Sequence, residues 1–222
     1  MDPIQTPAGG AMPSLWNLIE SGGPLMWPLG LCSVIALAYV VERTVRLRAS
    51  VIGTERFGER VLEAARAGGP EAGLQLARTE ATPLARVLAT VFERSGRSRA
   101  EHEKRVEDVA TGEVKRLAAN LRPLMIVYLV APLLGLLGTV WGLIQAFATV
   151  AVKNGLGRPE LLAGGVYQAL VTTAAGLTIA IPTVVAYYHF KGRIERFARR
   201  VEELYVALDP LLARTEAPHA SA

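Results

Sequence analysis

The chain has 222 residues, a formal charge of +4 at pH 7 and a pI near 9.5, with 51% hydrophobic and 20% charged residues and a mean hydropathy of +0.30. The apolar fraction alone is ordinary, but the charge is segregated along the sequence, which excludes a typical soluble enzyme. Pro24–Val41, Pro123–Val152 and Leu161–His189 contain no Asp, Glu, Lys or Arg, and each is about as long as, or longer than, the roughly 20 residues a helix needs to cross hydrocarbon. Three membrane-spanning helices are predicted in an all-α, integral membrane chain.

Residues 1–23 are rich in Pro and Gly around the apolar patch Leu15-Trp16-Asn17-Leu18-Ile19. They are read as an outer segment, either an amphipathic turn with Trp16 and Trp27 at headgroup depth or an irregular tail. Only Asp2 and Glu20 are charged there, and Glu42-Arg43 follows the apolar run. A secretory leader carries a basic start and a small-residue cleavage site, so residues 24–42 are read as a retained first span. The single Cys32 lies inside it; with no second cysteine there is no intrachain disulfide, and a packing role is expected.

Residues 43–122 form an expected cytoplasmic insert. Val51, Phe57, Val61, Leu62 and Ala65 repeat at about 3.6 residues and predict an amphipathic helix that Gly68-Gly69-Pro70 ends. Leu74 to Ala77, and Leu84, Val87, Leu88 and Val91, predict two shorter helices. From Arg97 to Arg116 alternating charges surround Val106, Val109 and Val114, which predicts a solvated helix running without a clear stop into the second span. That span is placed at residues 123–150, a periplasmic loop at 151–162 and the third span at 163–189. Ile194, Phe197, Val201, Leu204, Tyr205 and Leu208 then continue one stripe through the cytoplasmic helix and tail, 190–222.

Orientation follows from the basic residues, which favour the cytoplasmic flanks of spans. Arg43 to Arg122 holds sixteen Lys or Arg against eleven acids, and Lys191, Arg193, Arg196, Arg199 and Arg200 follow the third span. The link between spans two and three offers only Lys153, Arg158 and Glu160. The N-terminus is therefore expected outside and the C-terminus inside. The positive charge sits beside spans, interleaved with Glu and without an aromatic platform, so lipid rather than nucleic acid is its expected neighbour. Glu42 is expected to form an exposed, energetically minor pair with Arg43 or Arg46.

No phosphate loop, nucleophile elbow or His-Glu-x-x-His motif is present, and His102 and His189 lack companions for a metal site. No catalytic residue, metal or cofactor is expected. The chemistry lies in spans two and three. On a helix, Gly135, Thr139, Gly142, Ala146 and Thr149 share one face of the second, and Ala169, Thr173, Gly176, Ala180 and Thr183 share one face of the third. Small residues at this spacing let membrane helices approach closely. A ring of copies would equally turn them to a central lumen, with Leu136, Leu137, Val140, Ile144 and Leu177 toward lipid or neighbours. Pro132 and Pro182 are read as structural kinks.

The strings Ala131-Pro132, Gly135-Leu136-Leu137-Gly138-Thr139-Val140-Trp141-Gly142, and Gly165, Ala169-Leu170, Thr172-Thr173-Ala174, Gly176-Leu177 and Ala180-Ile181-Pro182 carry a resemblance. They are similar to the two signature segments of the MotA/TolQ/ExbB proton-channel family, nearest to ExbB and TolQ. Trp27-Pro28-Leu29 through Glu42-Arg43 resembles the family's opening helix. The resemblance implies a homopentamer in a bacterial inner membrane around an ExbD- or TolR-like single-span partner that supplies a protonatable Asp. Proton flow would drive that partner, and with it a TonB- or TolA-like protein. Thr139 and Thr173 align with the family's pore-facing threonines, and Gly135, Gly142, Ala146, Gly176, Ala180, Thr183 and Gln168 complete the expected pathway.

The chain's own composition agrees with a borrowed carrier. Selective proton transfer through hydrocarbon uses titratable groups, and spans two and three contain no carboxylate, Lys or His before His189. Threonine hydroxyls hold water and donate hydrogen bonds but do not titrate in a useful range. Where ExbB and TolQ usually carry Glu near the start of the third span, this chain has Gln168. That leaves three readings: the partner's Asp suffices, conduction differs in ion preference or drive, or the amide simply bonds a neighbouring helix. A pentameric scaffold that anchors a partner without conducting is the rival expectation. A solute transporter would need an inverted repeat or broken helices, and neither is evident.

Overall fold

A computed structural model describes residues 21–48, 52–53, 55–93, 98–152 and 160–216. Every regular element among them is helical: α1 (Met26–Arg46), α2 (Glu55–Ala77), α3 (Pro83–Phe92), α4 (Arg99–Ala118), a 3-10 turn (Ala119–Leu121), α5 (Arg122–Val152) and α6 (Glu160–Glu216). Three of these helical stretches are long and apolar enough to cross a membrane, within Met26–Arg46, Arg99–Val152 and Leu162–Leu212. The expectations for residues 1–20 and for residues 153–159 of the loop placed at 151–162 lie outside the described residues.

The chain divides into two compact units, Met1–Ala38 with Pro123–Val185, and Tyr39–Arg122 with Ala186–Ala222. In the first, Leu29, Ala131 and Ala180 form a small core against which Met26, Leu134, Ala175 and Ile179 pack. Large apolar side chains point away from it: Trp27 is 83% exposed, and Leu133, Leu136, Ile144, Phe147 and Leu170 are exposed as well. Helices apolar on the outward face need hydrocarbon rather than water around them.

The second unit packs its helices around a buried apolar core. α2 is broken at Gly69, whose φ of +78° is left-handed, and Pro70 follows it. The break expected at Gly68-Gly69-Pro70 is therefore present, with short helical turns on to Ala77. Thr82 caps α3, its Oγ1 accepting from the Ala85 amide at 3.2 Å, with Pro83 in the first turn. Ser98 and Glu101 form a reciprocal capping box on α4, satisfying two amides that have no helical partner. Val61, Val87, Leu88, Val91, Ile194, Leu204 and Leu208 are buried in this unit. Gly58 lies so close to Leu204 that a Cβ there would stand 2.6 Å from Leu204 Cδ1.

The helix entering the second span runs on as expected, with only a 3-10 turn at Ala119–Leu121 in one helical stretch from Arg99 to Val152. Pro123 has no amide to donate, yet Arg122 before it keeps helical backbone, with φ of −57° and ψ of −42°. One expectation changes here: the pairing of Glu42 is no minor surface contact. The Arg43 side chain is only 3% exposed and its Nη1 donates to Leu117 O at 2.8 Å. Glu42 faces Arg43 at 3.5 Å and Arg46 at 3.1 Å, and accepts from Asn120 Nδ2 at 2.9 Å. Arg43 thus holds a carbonyl at the end of α4, the end of a helix dipole that favours a cation.

Candidate functional site

The faces that the spacing singled out in the second and third spans meet each other within one subunit. Ala131, Gly135, Gly138, Gly142 and Ala146 are the buried small residues of α5. Opposite them on α6 lie Gly165, Ala169, Thr172, Gly176 and Ala180. A Cβ on Gly142 would stand 2.7 Å from Gly165 O, one on Gly176 2.6 Å from Ala131 O, and one on Gly135 3.1 Å from Thr172 O. Backbone approaches backbone at Gly135, Gly142, Gly165 and Gly176, which residues without side chains permit.

The seam is rotated slightly from the predicted stripes. Gly138 and Thr172 occupy its centre, Thr172 being fully buried with its side chain against Gly138. Thr139 and Thr173 sit half-buried at its edge. Gly135, Gly142, Ala146, Gly176, Ala180 and Thr183 are buried within the single subunit. Gly138 and Thr172 were missed although both signals were present: Gly138 lies three residues after Gly135 and four before Gly142, and Thr172 adjoins Thr173. A four-residue step chosen from Gly135 leads to Thr139, whereas close packing here follows the three-residue step to Gly138.

The hydroxyls are mostly tied to their own helices. Thr139 donates to Leu136 O at 2.7 Å, Thr149 to Gln145 O at 2.8 Å, Thr178 to Ala174 O at 2.7 Å and Thr183 to Ile179 O at 2.6 Å. Thr172 donates to Ala169 O at 2.9 Å, with Gln168 O at 3.2 Å. Thr173 differs, because its Oγ1 crosses the seam to donate to Gly135 O at 3.1 Å. A hydroxyl keeps two acceptor lone pairs while it donates, so the half-exposed Thr139 and Thr173 still offer oxygen to water or to a protonated group.

Gln168 is half-buried on α6 with its amide against Gly23, in the turn that leads into α1. Gly23 has a φ of +71°, and a Cβ there would run into the Gln168 amide. The glycine therefore serves both the turn and the close approach. No charged side chain from Pro123 to Val152 or from Leu161 to His189 enters the seam. Among the described residues no three His, Cys, Asp or Glu gather as metal ligands.

The model of the MotA/TolQ/ExbB proton channel family matches residues 79–203, more than half of the chain. The chain is 32% identical over 181 residues to the biopolymer transport protein exbB1 of Vibrio cholerae, covering 78% of this chain and 77% of that protein. It is 28% identical over 184 residues to the putative biopolymer transport protein ExbB-like 3 of Synechocystis, covering 82% and 88%. A shorter match, 39% over 88 residues, is to the Tol-Pal system protein TolQ of Pseudomonas aeruginosa, covering 40% and 38%.

Proposed function

The chain belongs to the MotA/TolQ/ExbB proton channel family, and on that premise we propose that it is the ring-forming wall of a proton-driven motor in a bacterial inner membrane. Five copies surround one or more single-span helices of an ExbD- or TolR-like partner, whose Asp carries the proton. The N-terminus is periplasmic and the C-terminus cytoplasmic. The spans are residues 24–42, 123–150 and 163–189, and lipid surrounds the ring. Work passes through the partner to a TonB- or TolA-like protein, in a process such as outer-membrane transport.

The observation that carries this reading is the α5–α6 seam: two spans packed backbone to backbone, with hydroxyls at its edge and no ionisable group that trades a proton near neutral pH. Such a wall shapes and wets a path but leaves proton carriage to another chain. Thr139 and Thr173 present oxygen to the carrier. Gly135, Gly142, Ala146, Gly176, Ala180 and Thr183 set the thickness of the wall, and Gln168 stands near its outer end. By accepting from the protonated carboxyl, the fixed hydroxyl oxygens lower the barrier to its movement through hydrocarbon.

A scaffold without conduction has one observation in its favour. The amide of Gln168, uncharged where ExbB and TolQ usually carry Glu, rests on Gly23. The two readings separate by native mass spectrometry of the protein gently extracted from its own membrane, followed by proton-flux assays. Five copies with a low-mass protein whose span contains Asp support the motor. A reproducible monomer or dimer in several mild detergents contradicts the ring.

A further inference from the structure

Helices α4 and α6 enclose a groove of about 500 Å³ within the second unit. Val106, Ala110 and Val201 line it, with Val106 and Val201 buried. The exposed carboxylates of Glu103, Glu107 and Glu202 stand on its rim. Neighbouring acids are already paired, Asp209 with Arg99 at 2.6 Å and Glu203 with Arg200 at 3.1 Å. The three rim carboxylates have no ion pair among the described residues. The groove is therefore apolar at the base and negative at the edge.

A positive counterpart lies on the same chain. On α2, Phe57, Val61 and Ala65 face inward, which turns Arg56 and Arg60 outward. Both are exposed, and neither has an ion pair among the described residues. Glu59 between them is occupied by Arg200 at 3.1 Å, which leaves Arg56 and Arg60 as two adjacent exposed cations between Glu55 and Glu63. Arg56 and Arg60 are four residues apart, as are Glu103 and Glu107. Side chains at that spacing stand about 5–6 Å apart on each helix, so the two pairs share one repeat.

Their levels along α6 also agree. Glu59 pairs with Arg200, and Gly58 lies against Leu204, which sets Arg56 and Arg60 near residues 200–204. Arg99 pairs with Asp209, and the groove joins Glu103 and Glu107 to Ala198 through Tyr205. Copies related by rotation about an axis along α6 keep their levels, so the two patches meet without any shift along that axis.

We propose that the acidic groove between α4 and α6 receives the arginine ridge of α2 from a second copy of this chain, Arg56 and Arg60 of one copy pairing with Glu103 and Glu107 of the next. The proposal rests on the ring reading above. The two patches differ, so the contact is head-to-tail, the kind that closes into rings rather than isolated dimers. Exposed ion pairs add little energy; the apolar base and the matched repeat make this contact specific, and charge sets which surfaces meet.

The test uses the full chain in membranes, with Cys32→Ala as the background. Arg60→Cys combined with Glu107→Cys should give, on oxidation, a ladder of linked copies rising to the full ring, and neither cysteine alone should. In the parent chain, Glu103→Arg with Glu107→Arg should lower the ring fraction surviving in mild detergent roughly tenfold, because like charges then face each other. Arg56→Glu with Arg60→Glu should do the same, and all four changes together should restore the ring. Rings that persist through both reversals and give no ladder overturn the groove contact while leaving the ring reading intact. A cross-link from Glu107→Cys to a low-mass protein overturns it too, by giving the groove to another partner. A parent chain that forms no ring removes both.

Discussion

Thr173 Oγ1 donates to Gly135 O across 3.1 Å, a hydroxyl-to-backbone bond that joins α6 to α5. It exists because Gly135 has no side chain: a Cβ there would stand 3.1 Å from Thr173 Cα. Thr173→Val keeps the shape and removes the donor. Interhelical bonds of this type average about 0.6 kcal/mol, so assembly should persist. Proton flux through the reconstituted complex should fall at least tenfold, by roughly 1.4 kcal/mol of barrier, and Thr173→Ser should recover it. Flux unchanged in Thr173→Val, with assembly intact, would remove the Thr173 hydroxyl from the path.

The seam itself makes a second prediction. Gly176→Ala places a methyl 2.6 Å from Ala131 O, a backbone atom that cannot rotate aside. The two helices must separate, at a cost of about 1–3 kcal/mol. Gly30→Ala is the control, since nothing lies within 4 Å of that position. Thermal unfolding of the solubilised protein, followed by circular dichroism, should show a lower midpoint for the first and an unchanged one for the second.

How much of this was legible in the sequence follows from the two periodicities involved. Charge-free length revealed three spans, and Gly68-Gly69-Pro70 marked the break in α2, because both signals are local. Which small residues face which was less accessible. Gly135 has Gly138 three residues on and Thr139 four residues on, and the choice depends on how the helices cross, a property of the pair. Arg43 was underestimated for the same reason: its side chain reaches Leu117 O, 74 residues away in sequence, where sequence spacing offers only Glu42.

Arg43 and Arg46 should therefore behave differently. Arg43→Gln removes a buried cation from Leu117 O and Glu42. The expected destabilisation is about 2–4 kcal/mol, near the lower range for breaking a buried pair because Glu42 keeps Asn120 and Arg46. Arg46 is 67% exposed in its side chain, and Arg46→Ala should change stability by no more than about 0.5 kcal/mol. Equal effects of the two would contradict the burial described here.

In the second unit, Glu113 is buried and receives Arg86 Nε and Nη2 at 3.0 and 2.7 Å, with Arg116 Nη1 at 3.1 Å. The Arg86 hydrogen bonds hold its carboxyl below the ordinary carboxylate value, against the opposing effect of burial. A depressed folded pKa means stability that is present above the ordinary value and lost as pH falls through the folded one. Glu113→Gln should lower stability at pH 7 by about 1–3 kcal/mol. It should also flatten the acid limb of the stability curve below about pH 4.5, measured by urea unfolding at stepped pH.

The central claim is that this chain builds the wall of a proton path and borrows the carrier. Its most direct test is proton flux in sealed vesicles under an imposed potential, with the purified protein alone and with the single-span protein that copurifies with it. The account predicts no flux above the lipid background for the chain alone, flux with the partner, and loss of that flux when the partner's span Asp becomes Asn. Proton flux through the chain alone, sensitive to Gln168→Ala or Thr139→Val, would contradict it.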